Sequence, residues 1–210
     1  QFLNNIIDWL EKRRIINLVL ILGYFFFILL MHNSMVLLSV WVEKQLSLPV
    51  YNLVIAVIFL LFASVLVIVL IKRFKLNFEN LKTEFIYLFA TLAFMIAHSR
   101  FMFDSNIEII HSFEYPFLAF LIFPLTKRFG ATILFTLPFM LVDEWYQYIV
   151  LYPTEIDYFD LNDIMMDTYG CGLAMAVLMI IGVKGKFPVK PFWKRPEFIS
   201  LVSGIVLICL

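Results

Sequence analysis

His111 and Glu114 stand three residues apart, Asp143 and Gln147 four apart, and Asp163 and Asp167 four apart, so each pair shares one face if its segment is helical. Glu144 adjoins the second pair. An imidazole among carboxylates can hold a divalent cation, run general acid/base catalysis or relay protons. As catalytic candidates, Glu114 and Asp163 are the acid/base groups and His111 stands beside them. As metal candidates, His111, Glu114, Asp163 and Asp167 offer the ligand types of a divalent cation site. Asp143, Glu144, Gln147 and Asp167 are candidate substrate-binding residues, and Arg100 either pairs with one of these acids or grips a lipid phosphate. Asp163 and Asp167, one turn apart, would share a proton, because like charges at that spacing disfavour double ionisation. A plainer reading has these groups as solvated helix ends or a structural hydrogen-bonded network.

The elements that position them are set by composition. Of 210 residues, 63% are hydrophobic and 15% charged, well above the apolar share of soluble domains. The expected fold is all-α, a polytopic transmembrane helix bundle of about six to seven spans. Sixteen basic and sixteen acidic residues cancel, and no basic stripe with interleaved aromatics stands apart from the apolar runs, which excludes nucleic-acid binding. Cys171 and Cys209 lie in apolar stretches with no metal-ligand or disulfide spacing.

Spans are expected over Val50 to Ile71, Phe85 to Ser99, Ile107 to Thr126, Gly130 to Tyr152 and Asp163 to Val183. The uncharged run from Ile15 to Val42 would reach roughly 42 Å as one helix, so a break is expected near His32-Asn33-Ser34, ending the first span at about Met31. A last span opens after Glu197 and is still apolar at Leu210, and the chain opens with Gln. The sequence is therefore expected to be a segment of a longer one. Residues 1–14 place Phe2, Ile6, Ile7 and Leu10 on one face and end in Lys12-Arg13-Arg14, the pattern of an interfacial amphipathic helix. The organisation is then 1–14 amphipathic helix, 15–106 N-terminal spans, 107–183 membrane core, and 184–210 basic loop with the start of a last span.

Alternating these spans puts every basic residue except Lys44 and Arg100 on one side, so the positive-inside rule makes that side, and the N-terminus, cytoplasmic. The acids gather opposite, with all three histidines. Counted from the cytoplasmic helix ends, Glu114, Asp143, Glu144, His111 and Asp167 all fall roughly 18 to 24 Å up. Charge at that depth costs several kcal/mol unless partnered, so three helices are expected to bring these groups into one outward-facing cavity. Gly170 with Ala174 and Gly172 with Ala176 read as faces for close helix approach. Pro116, Pro124 and Pro138 read as kinks, Trp41, Trp145, Tyr146, Tyr148 and Tyr152 as outer-interface anchors, and Trp193 as an inner one. His32 and His98 read as interfacial.

The segments His111-Ser-Phe-Glu114-Tyr115, Asp143-Glu144-Trp-Tyr-Gln147 and Asp163-Ile-Met-Met-Asp167-Thr-Tyr-Gly170 resemble, in order and spacing, the VanZ-like membrane proteins. That family has a His-x-x-x-Tyr helix start, an Asp-Glu-x-x-Gln helix end and an Asp-x-x-x-Asn-x-x-Gly helix start. The resemblance covers about Ile107 to Val183 and implies that His111, Tyr115, Asp143, Glu144, Gln147, Asp163 and Gly170 are recurrent positions, adding Tyr115 to the substrate-binding candidates. It departs in two places. An Arg that the family often carries between the Gln and the next Asp is missing from Leu151 to Asn162, which instead holds Glu155, Asp157 and Asp160, and Asp167 stands where Asn is usual. Both changes make the site more negative and favour a cation over an anionic grip.

The resemblance implies the bacterial cytoplasmic (inner) membrane and the cell envelope, and an association with resistance to teicoplanin, a lipid-tailed glycopeptide antibiotic. Two functions are expected from this. The cavity recognises or modifies an amphiphile from the outer leaflet, such as a lipid-linked envelope intermediate or a lipidated antibiotic, among membrane lipids. Alternatively, the chain is a non-catalytic subunit docking partner membrane proteins through its small-residue faces, its 24 Phe and the acidic stretch Thr154 to Asp160. A proton or cation pathway ranks below both, because Ala174 to Val183 offers no polar group.

Overall fold

The structure, a computed structural model, describes residues 2–102, 111–153 and 159–186. Every regular element among them is helical: α1 (Phe2–Lys12), α2 (Arg14–Gln45), α3 (Leu48–Met102), α4 (His111–Thr126), α5 (Phe129–Tyr146), a π-helical turn continuing α5 (Gln147–Leu151), and α6 (Leu161–Ile180). Arg14–Gln45, Leu81–Met102 and Leu161–Ile180 are long and apolar enough to cross a membrane. The span expected after Glu197, with Trp193, Cys209, Asp104, Glu108, Glu155 and Asp157, lies outside the described residues.

Two expected breaks are absent. α2 runs unbroken through His32, Asn33 and Ser34. Polar side chains leave the backbone ladder intact; Pro and Gly interrupt it, and Gly23 alone falls within α2. Likewise α3 joins Val50–Ile71 to Phe85–Ser99 as helix across the basic stretch from Lys72 to Lys82, where a loop was expected. After Pro49, which suits a helix start, no Gly or Pro occurs until Pro116.

The contacts fix the helix directions. His111 and Ser112 of α4 meet Asp163 and Gly170 of α6, while the chain after each helix is joined by a hydrogen bond from the Lys186 amide to the Lys127 carbonyl, so α4 and α6 are parallel. Phe25 packs edge-on against Phe139 and the Tyr152 hydroxyl donates to the Asn33 amide oxygen at 3.4 Å, so α2 runs alongside α5 in the same direction. The second half of α3 is antiparallel to α6: Leu88 and Phe85 cluster with Ala176 and Ile180, and Ser99 reaches Met166.

One core cluster joins α1, α2, α4, α5 and α6 around Tyr115, Leu118, Phe123, Met140 and Met175; a smaller one joins α3 to α6. The small residues of α6 divide between the two. Gly170 and Ala174 face α4 and the larger core, whereas Gly172 and Ala176 face α3, as expected for packing positions.

α1 is amphipathic as expected, but its apolar face is placed differently. Ile7 and Leu10 are buried against the bundle, while Phe2 and Trp9 stay exposed. A clamp holds the helix there. Lys127 follows α4 in the left-handed region (φ 52°), where Gly is the usual residue, and its buried ammonium lies 2.9 Å from both Asp8 and Glu11. The hydrogen bond from Lys127, then its charge, lowers the Asp8 pKa. Burial pushes the Lys127 pKa down, but the two carboxylates outweigh it and the net shift is upward.

Candidate functional site

Three helix segments converge at the end of the bundle opposite Lys12, Lys127 and Lys184. The first turn of α4 supplies His111, Glu114 and Tyr115; the first two turns of α6 supply Asp163 and Asp167; the end of α5 supplies Asp143, Glu144 and Gln147. Asp160 caps α6, its carboxylate accepting from the Asn162 amide at 2.8 Å, so the acidic stretch beginning at Thr154 ends in a capping role, with 154–158 outside the described residues. Asp163, in the first turn, lies at the favourable end of the α6 dipole.

His111 is the centre. Its Nδ1 is 3.4 Å from Glu114 Oε2 and its Nε2 3.4 Å from Asp163 Oδ2. One ligand atom from each of His111, Glu114 and Asp167 falls within 4.8 Å of the others. Asp167 is 2% exposed and Asp143 1%, and one carboxylate oxygen of each has no hydrogen-bond partner among the described residues. Beneath them Tyr115 is fully buried, and its hydroxyl donates to the Phe139 carbonyl at 3.4 Å. A π-turn, closed by the Tyr152 amide donating to the Gln147 carbonyl at 2.9 Å, begins at Gln147, whose Nε2 donates to Glu144 Oε1 three residues back at 3.1 Å. Such turns add a residue to one side of a helix and occur often at functional sites.

The close approach that assembles the cluster has a local cause. Pro116 cannot donate to the Ser112 carbonyl one turn back, and this carbonyl lies against Gly170, where a Cβ would collide with it. Glycine on α6 opposite a proline-modified turn on α4 thus brings the two backbones together.

His111, Glu114, Asp143, Glu144, Gln147, Asp163 and Asp167 are therefore brought together, as their depth and spacing required. Arg100 is not: it is exposed near the end of α3, and no described residue pairs with it. His98 is also separate, edge-on to Tyr169 at 5.8 Å. His32, read as interfacial, instead sits with its ring 6.5 Å from that of His111 and 6.3 Å from Tyr152. Tyr24, on the same side of α2, donates its hydroxyl to the Glu114 carbonyl at 2.9 Å. The signal for both was present: Asn17, Ile21, Tyr24, Phe25, Ile28 and His32 recur with helical period, and the expected break concealed it.

Chemically, four carboxyls and Glu144 close around His111, with His32 at the edge. A cluster so rich in acid needs positive charge from protons, a cation or a cationic ligand group. Comparison with protein-family models, curated proteins and solved structures finds no match to this chain.

Proposed function

We propose that the chain is a VanZ-like polytopic protein of the bacterial cytoplasmic membrane, with six to seven spans and a cytoplasmic N-terminus, whose acid-histidine cavity recognises or modifies an amphiphile entering from the outer leaflet. The observation that carries this reading is His111 held between Glu114 and Asp163, over buried Asp143 and Asp167, at the end of the bundle away from the basic loops. Buried, incompletely hydrogen-bonded carboxyls are costly in an apolar bundle, and a polar headgroup is what would repay them. Exposed apolar faces on α2 and α3 leave the flanks suited to lipid. The head of the ligand then meets the cluster and its tail stays in the bilayer. Candidate ligands are a lipid-linked envelope intermediate and a lipidated glycopeptide.

The test is binding of teicoplanin, and of the same glycopeptide lacking its lipid tail, to the protein in lipid nanodiscs. Saturable binding that requires the tail and weakens about tenfold or more in Asp163→Asn, on the scale of one lost charge-assisted contact, supports the reading. Equal binding by wild type and variant, with folding retained, refutes the site assignment.

A second reading, a non-catalytic accessory subunit, rests on the same apolar flank of α2, of which Phe26, Phe27, Leu30 and Trp41 are exposed. A stoichiometric membrane partner retained through mild detergent supports it, and a monodisperse monomer counts against it.

A further inference from the structure

We propose that His111, Glu114 and Asp167 hold a divalent metal ion of the zinc or manganese class, with Asp163 orienting the imidazole from its other side. The inference deepens the cavity reading, since it concerns the same site, but its geometry stands without any amphiphile.

The distances fit coordination, and the unpartnered buried atoms favour it. His111 Nδ1 and Glu114 Oε2 are 3.4 Å apart, and neither makes a hydrogen bond among the described residues although both are buried. Two bonds of about 2.0–2.1 Å at a tetrahedral angle set their ligand atoms about 3.3–3.4 Å apart. The pair is thus spaced as two ligands of one ion. Asp167 supplies the independent sign: it is 2% exposed, its Oδ1 has no hydrogen-bond partner among the described residues, and it offers a ligand atom within 4.8 Å of the other two, so that a short inward shift brings it within the roughly 4.2 Å that can separate two ligands of one ion. A buried carboxylate oxygen left this way is costly unless the group takes up a proton or meets a cation.

Asp163 completes the arrangement. With Nδ1 turned to the ion, Nε2–H of His111 faces Asp163 Oδ2 at 3.4 Å, the carboxylate–histidine–metal relation that fixes the tautomer and raises ligand basicity. Asp163 is therefore a positioning residue. One imidazole and two carboxylates leave a coordination position open, and His32 and Tyr152 stand on the His111 side of the cluster. An oxygen of a headgroup, or a water molecule, is the ligand class that position takes.

The full chain, purified in mild detergent with a tag free of histidine and stripped with chelator, is loaded with Zn²⁺, Mn²⁺ or Co²⁺ alone, desalted, and analysed by elemental mass spectrometry. About one equivalent of zinc or manganese is expected in wild type, and less than about a tenth in Glu114→Gln and in Asp167→Asn, the shapes of which match the native side chains. Asp163→Asn should keep the stoichiometry and lower affinity about 10- to 100-fold, with a shifted visible spectrum in the cobalt form. Absence of retained metal in wild type overturns the proposal, as does equal retention by Glu114→Gln and Asp167→Asn. Because no amphiphile is present, loss of metal binding and loss of teicoplanin binding are separate outcomes: a metal-free protein that still binds the lipidated glycopeptide through Asp163 defeats this inference alone.

Discussion

Gly170→Ala is the substitution that most directly tests how the site is assembled. A Cβ there would overlap the Ser112 carbonyl, which is backbone and cannot rotate away, whereas ordinary van der Waals contact begins at 3.4 Å. Relief requires α4 and α6 to part by roughly 1.5 Å, since carbon contacts are optimal near 3.5–4.0 Å. Overpacking a close-packed interior costs about 1–3 kcal/mol, and a rigid obstacle puts this case near the upper value. At about 2–4 °C per kcal/mol for a chain of this size, the midpoint of thermal unfolding should fall by about 6–12 °C. The same parting pulls His111 from Asp163 and Asp167, so metal retention should fall with it.

Gly172→Ala is the control, the same substitution two residues on, where the helix faces α3 instead of α4. Its Cβ would meet the Thr91 methyl at 3.2 Å and the Tyr87 hydroxyl at 3.4 Å, both ends of side chains that can yield, and the cost should stay below about 1 kcal/mol. Thermal unfolding in mild detergent, followed by circular dichroism, compares the two. Equal midpoints for Gly170→Ala and wild type would refute the close approach of α4 to α6 and the explanation of the cluster built on it.

Two further outcomes follow from the other end of the bundle. Asn17 is fully buried on α2 with neither amide atom hydrogen-bonded among the described residues, so Asn17→Leu, which removes a penalty of about 1–3 kcal/mol, should raise the unfolding midpoint by several degrees; a fall of several degrees would reveal a polar partner. Lys127→Met should release α1, increasing hydrogen exchange over Phe2–Lys12 about 3- to 10-fold relative to α5, as expected for losing two ion pairs whose carboxylates are open to solvent. In wild type the docking has two pH limits. The lowered Asp8 pKa contributes stability that is present above the ordinary carboxylate value of about 4 and lost as pH falls through the folded value. The raised Lys127 pKa contributes stability that is present below about 10.4 and lost as pH rises through the folded value. Exchange corrected for its intrinsic pH dependence should therefore be flat from about pH 5 to 10, and in Lys127→Met the upper limit should vanish and the lower one shrink, Lys12 and Lys184 still acting on Asp8.

The sequence by itself determined the helical class, the pairs His111/Glu114 and Asp163/Asp167 as neighbours on their own helices, and their common depth. Each of these is local, because spacing along a helix decides which residues share a face and how far up it they lie. Tertiary structure decided which faces meet. Nothing in the pattern of α2 alone turns His32 toward His111, and reading its polar triplet as a break hid the continuous face that carries it. Nor does the amphipathic pattern of α1 say whether its apolar side meets lipid or protein; the Lys127 clamp, more than a hundred residues away, settles that. The π-turn after Tyr146 and the contact of Gly170 with Ser112 likewise arise from how helices are rotated and pressed together. Periodicity is a property of one segment, whereas rotation and approach are properties of pairs, and the chemistry at His111 depends on the pairs.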